Sequence, residues 1–133
     1  MSAALALQTA VIATLRADAV LAGLVGDAVH DGAPQNAGLP HVALGDFTTL
    51  PWDTASEDGE EHRATLLSWS RKGGRREIHE INAALIAALH GADLAVAGHA
   101  LVDLRVTGAD ARREADGKTW RGRVRLVAFT EPA

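Results

Sequence analysis

The heptapeptide RKGGRRE, residues 71–77, sets one lysine and three arginines around a pair of glycines. Glycine-rich backbone flanked by cations can cradle phosphate, because its amides and charges converge on one anion. A triphosphate-binding loop needs Gly-x-x-x-x-Gly-Lys followed by Ser or Thr. Here Lys72 precedes both glycines and no hydroxyl residue follows them. Phosphoryl-transfer chemistry of that kind is excluded. Two readings remain: a strand-to-helix turn with solvated cations, or a contact of Arg71, Lys72, Arg75 and Arg76 with an anion or partner.

The other reactive residue types are scattered. His30, His41, His62, His79, His90 and His99 include no i, i+4 pair on a helix. HEIN, residues 79–82, lacks the second histidine of a zinc-protease motif. They read as surface or boundary histidines. Ser68 and Ser70 in LLSWSR lack the glycines of a nucleophile elbow and read as ordinary strand residues. The segment PWDTASEDGEEH, residues 51–62, holds five acids and no Lys or Arg. Without the spacing of a calcium loop, it reads as a mobile, solvated loop that could order against a partner through Asp53, Glu57, Asp58, Glu60 and Glu61. The chain has no cysteine, which excludes disulfides, thiolate metal sites and a cysteine nucleophile. No catalytic, cofactor-binding or metal-ligating constellation is expected.

The elements that carry these residues follow from patterning. At 133 residues the chain suits one domain, residues 1–133, with enough burial to fold unaided. Its apolar and charged fractions, 47% and 23%, are those of ordinary globular proteins. A net charge of −4 gives no general attraction to nucleic acid or anionic membrane. The apolar N-terminus lacks a basic flank and reads as a helix rather than a signal peptide, and no run is long enough to span a bilayer.

Ser2 can cap a helix over 3–16, with Ala4, Leu7, Val11 and Leu15 on one stripe and Ile12 beside it. Asp18 can cap a short second turn ending at Gly26. Residues 30–40, with two prolines and two glycines, read as loop. Strands are expected over 41–50 and 63–70, paired antiparallel. A second long helix, about 75–90, carries the stripe Ile78, Ile81, Leu85 and Leu89 and ends at Gly91.

Two strands, 100–108 and 119–129, form a hairpin around an Asp-Gly turn. Val102, Leu104 and Val106 should share one face with Trp120, Val124 and Leu126. Leu101, Asp103, Arg105 and Thr107 should share the other with Arg121, Arg123, Arg125, Val127 and Phe129. The fold class is α+β, in the order α-β-β-α-β-β: a single antiparallel sheet with two helices on one face. Burying three arginines without partners costs several kcal/mol each, so the uncovered face meets water, a subunit or a polyanion. An aromatic beside arginines is an interface composition.

One resemblance adds to this. LRADAVLAGLVGDAVHDGAPQNAGLPHVALGD resembles the small tail-completion proteins of long-tailed phages and gene transfer agents. The matching positions are Asp18, Leu21, Leu24, Val25, Gly26, Val29, Pro40, His41, Val42, Leu44 and Gly45. The later LLSWSRKGGRREIHEINAALIAAL also fits. The resemblance covers nearly the whole chain and implies a non-enzymatic tail terminator, or tail-to-head joining protein. It implies a homo-oligomeric ring, usually hexameric, at the head-proximal end of the tail of a virion or phage-like particle assembled in the bacterial cytoplasm. The implied partners are the tail tube protein and the head–tail connector or stopper. DNA would pass through the lumen without sequence-specific binding, and no membrane is involved. No cofactor or catalytic residue carries over. A connector subunit is the alternative within this class, and a small nucleic-acid-binding module is the alternative outside it.

Overall fold

Ser2 opens the first helix by accepting a hydrogen bond from the Leu5 amide at 3.1 Å, which satisfies one orphan donor of the first turn. In the computed structural model, which describes residues 1–32, 36–53, 58–72 and 74–133, this helix is α1 (Ala3–Ala17). Asp18 ends it and caps α2 (Ala19–Val25), accepting from the Leu21 amide at 2.9 Å. The two helices meet at 77°, so the short α2 turns back to bury Leu21 and Val25. No single described helix is long and apolar enough to cross a membrane.

The remaining elements are β1 (Val29–His30), β2 (His41–Asp53), β3 (Asp58–Ser70), α3 (Arg75–Leu89), β4 (His99–Arg113) and β5 (Trp120–Pro132). The strands form one sheet in the order β1-β2-β3-β5-β4. All pairings are antiparallel except the two-residue β1, which lies parallel to β2. The α+β class holds, but the order α-β-β-α-β-β is corrected in detail: α2 and β1 are additional elements, giving three helices and five strands among the described residues, and the parallel β1 makes the sheet mixed rather than purely antiparallel.

The helices cover one face. Ile78, Ile81, Leu85 and Leu89 of α3 and Leu7, Val11 and Leu15 of α1 are buried. All of these except Ile78 pack with Val42, Leu66, Leu104, Val124 and Leu126 of the sheet in one core. Deep burial of each such side chain contributes about 1.5–3 kcal/mol. Alternation along β5 is regular: even-numbered residues from Trp120 to Thr130 face the helices, and Arg121, Arg123, Arg125, Val127 and Phe129 face away.

Three expectations fail. First, residues 51–53 and 58–62 are strand, not mobile loop. Pro51 is tolerated because β2 is bordered by β1 only at Val42 and Ala43, so its missing N–H costs no sheet bond on that side. Gly59 is not a breaker. It lies opposite Trp52, whose ring would stand 2.7 Å (Cε3) from any Cβ placed there. The glycine is the platform on which the indole rests. Residues 54–57, including Glu57, lie outside the described residues.

Second, β4 carries register shifts between Leu101 and Asp103 and between Val106 and Gly108. The extra residue of the first bulge is Val102, left 48% exposed, while Leu101 pairs with Thr130 on the core side. The second bulge, at Thr107, reverses the alternation again and puts Gly108, Asp110 and Arg112 opposite Arg125, Arg123 and Arg121.

Third, the histidines are not all at the surface. His41 is 7% and His62 1% exposed. His62 sits between two threonines of neighbouring strands, Nδ1 at 3.0 Å from Thr49 Oγ1 and Nε2 at 2.9 Å from Thr130 Oγ1. Hydroxyls can donate or accept, so they satisfy a neutral ring in either tautomer. Burial lowers its pKa below the usual 6.5, opposed by Glu60 and aided by His99.

Candidate functional site

The face of the sheet opposite the helices is the surface the fold leaves uncovered, and its charges are arranged in pairs. Arg123 makes a two-pronged contact with Asp110, Nη2 at 2.8 Å and Nε at 3.1 Å from Oδ2. Arg125 approaches the same oxygen at 3.5 Å, and Arg121 lies 3.4 Å from Glu114. Arg105 pairs with Asp103 at 2.9 Å and Arg63 with Glu61 at 2.5 Å. The hydrogen bond from Arg123, aided by the charges of Arg123, Arg125 and Arg121, holds the Asp110 carboxyl below its ordinary range. The same bond raises the pKa of Arg123.

Asp110 reaches this face only because of the Thr107 bulge. Had β4 kept constant alternation, Asp110 would lie on the helix side. Its backbone oxygen accepts from Asn82 Nδ2 of α3 at 3.0 Å, so one residue ties the helix layer to the arginine row.

Aromatic and apolar groups share the rest of this face with Thr48 and Thr65, which lie opposite Arg63 and Arg125. Trp52 and Phe129 stack with ring centroids 4.8 Å apart at one end. His41 and Trp69 do so at 4.9 Å at the other. Leu67, opposite Ala43 and Arg123, lies between them.

The strand-to-helix loop belongs to the His41–Trp69 end. Arg71 Nε donates to Thr119 Oγ1 at 2.9 Å, and Arg71 lies 3.8 Å from Asp116. Asp116 in turn accepts from the Lys118 and Thr119 amides and the Thr119 hydroxyl, which holds its pKa at about 2. Gly117 takes the positive φ of that turn, +71°. Ser70 Oγ contacts Glu77 in the first turn of α3. The loop is thus a strand-to-helix connector pinned to the β4–β5 turn, with Gly73 outside the described residues. Arg76 pairs with Glu80 at 3.1 Å, and Lys72 is exposed. Arg75 and Arg113 lie over Trp120, 4.6 and 5.0 Å from the ring.

The candidate residues fall into three groups. Arg121, Arg123, Arg125 and Phe129 share the uncovered face. Arg71, Lys72, Arg75 and Arg76 gather at one end of the sheet, and Asp53, Asp58, Glu60 and Glu61 at the other. Sequence reasoning missed Asp110 and Glu114, which neutralise the arginine row, because both lie in the segment read as a turn. It also missed Trp52 as Phe129's neighbour. Among the described residues no three His, Cys, Asp or Glu side chains gather as metal ligands would.

A single sheet with one helix-covered face, paired charges and aromatics on the other, and partly open edges defines a protein suited to assembly. The family model for "Tail completion protein gp17" matches residues 9–131, and the chain belongs to that family. It is therefore a structural tail protein of the phage type. A chain of the solved structure titled "Virion of native gene transfer agent (GTA) particle" is similar to it. The two are 35% identical with a TM-score of 0.89, covering 98% of each chain. No curated protein sequence matches it significantly.

Proposed function

We propose that this protein is a tail terminator. It forms a ring, most simply hexameric, on the head-proximal end of the tail tube, stops tube growth and presents a surface to the head connector. DNA passes through the ring without sequence-specific contacts, and the protein works by assembly rather than catalysis. The observation that carries this reading is the end-to-end similarity, at a TM-score of 0.89, to a chain of an assembled gene transfer agent particle.

The fold supports it physically. Among the described residues, no strand borders the outer edge of β2 from Leu44 to Asp53. The β4 edge is capped beside α3, where Leu104 O accepts from the Gly91 amide and the Val106 amide donates to His90 Nδ1. Strand edges left open are managed by burial against a neighbour, and a closed ring supplies such neighbours. The face with Arg121, Arg123, Arg125 and Phe129 would then meet a subunit or partner.

Electron microscopy of particles lacking this protein tests the reading. A terminator predicts unjoined tubes of abnormal length beside tailless heads. Free tails of normal length beside DNA-filled heads would show a connector role instead.

A further inference from the structure

The two ends of the sheet differ in charge. β3 runs the whole way between them, and 13 residues at ~3.3 Å each separate the ends by about 40 Å. At one end lie Asp53, Asp58 and Glu60, none with an ion-pair partner among the described residues. Glu61 beside them is held by Arg63. At the other end, Lys72, Arg75, Arg112, Arg113 and Lys118 likewise have no carboxylate partner among those residues.

Each end also carries an aromatic anchor. Trp52 stacks on Phe129 and rests over Gly59 at the acidic end. Trp120 lies beneath Arg75 and Arg113 at the basic end. Stacked guanidiniums are already ordered, so little rotamer freedom remains to be lost when a carboxylate arrives.

Taking the ring reading as its basis, we propose that copies of this chain join end to end. The acidic end of the sheet of one copy, with Trp52, Asp53 and Asp58, seats on the basic end of the next, with Lys72, Arg112 and Arg113. Charge complementarity selects a second copy as the occupant, because one chain carries both halves of the match and they point in opposite directions. Such a contact is heterologous: each copy uses a different surface toward each neighbour, which is the geometry that closes a ring. Buried aromatics with a charged rim are the usual anatomy of such a contact.

The absence of cysteine permits a direct test in assembled particles. In Asp58→Cys/Lys72→Cys, oxidation should link neighbours into a ladder of multimers on a non-reducing gel. Either single variant should give no ladder. In parallel, Asp53→Lys/Asp58→Lys and Lys72→Glu/Arg112→Glu should each lower the yield of tailed particles about tenfold or more. Co-expression of the two should restore it, since reversed ends match each other in an alternating ring. Tailed particles that contain the protein but give no ladder, together with charge reversals that leave yield unchanged, would overturn the end-to-end contact and leave the terminator reading standing. Cross-links to a different particle protein alone would also overturn it, making the acidic end a docking surface for that protein. Normal joined tails in particles wholly lacking the chain would instead remove the terminator reading.

Discussion

Gly122 is the tightest point between helix and sheet, and Gly122→Ala tests the packing directly. A Cβ there would stand 2.5 Å from Ser68 Oγ, 2.7 Å from Asn82 Oδ1 and 2.9 Å from Ile78 Cγ2. All three are below any normal contact, and all belong to buried residues. None is the loose end of a long side chain, so α3 must lift from β5. Overpacking of this kind costs about 1–3 kcal/mol. At this chain length about 3–5 °C of melting temperature is lost per kcal/mol, so the expected fall is about 3–15 °C by calorimetry. Ser68→Ala supplies an internal control. Ser68 Oγ has no hydrogen-bond partner among the described residues, so its removal alone should be nearly neutral. Combined with Gly122→Ala it should return part of the loss, a positive coupling in a double-mutant cycle. Gly23→Ala in α2, where nothing lies within 4 Å, should stabilise by about 0.5–1 kcal/mol through helix propensity. An unchanged melting temperature for Gly122→Ala, or no coupling with Ser68→Ala, would refute the close approach of α3 to β5.

Three further outcomes are expected. Because burial lowers the pKa of His62 in the fold, the unfolded chain takes up the proton first. Stability should be level above about pH 7 and fall as pH drops below 6.5, by at most about 1.4 kcal/mol per pH unit from this group. His62→Gln, followed by urea melts from pH 5 to 8, should lower stability at neutral pH and flatten that slope. Asp110→Asn releases Arg123 and Arg125 while keeping the backbone contact to Asn82. With the Asp110 side chain 34% exposed, urea melts should show a loss of only about 0.5–1 kcal/mol. They should also show less of the acid destabilisation that sets in as the carboxylate protonates below about pH 4. Trp120→Ala empties the site beneath Arg75 and Arg113 and should cost about 3–5 kcal/mol in the same assay, while Trp120→Phe keeps a ring and costs less.

The parts of the fold that were legible are those governed by one period. In β5, three arginines at every second position fixed which face was dry, and the structure keeps that phase through Thr130. The α3 stripe and the caps Ser2 and Asp18 are likewise local signals. The illegible parts involve a change of phase or a distant partner. Nothing in ALVDLRVTGAD marks Val102 or Thr107 as bulges, because each bulge only makes sense against the register of β5. The hairpin end was misread because Pro51, Gly59 and the acids have the composition of a loop. Only the Trp52 ring over Gly59, and Phe129 some 70 residues later in the chain, reveal it as strand. His62 reads as a surface or boundary histidine in the sequence because its partner Thr130 lies 68 residues away. Asp110 was hidden for both reasons at once.

That missed aspartate changes what the uncovered face can do. Read from β5 alone, Arg121, Arg123 and Arg125 form a cationic strip, and a strip of free arginines would draw a polyanion. In the fold, five arginines of this face, at 63, 105, 121, 123 and 125, are matched by Glu61, Asp103, Asp110 and Glu114. Affinity for a nucleic-acid backbone grows with the number of phosphates neutralised and counterions released, and guanidiniums already holding carboxylates contribute little to either. What remains, apart from Arg112 opposite Arg121, is a surface of paired arginines among Trp52, Leu67, Trp69, Val127 and Phe129, a composition that protein neighbours cover well. Charges with no ion-pair partner among the described residues include acids at one end of the sheet and bases at the other, the asymmetry on which the proposed end-to-end contact rests.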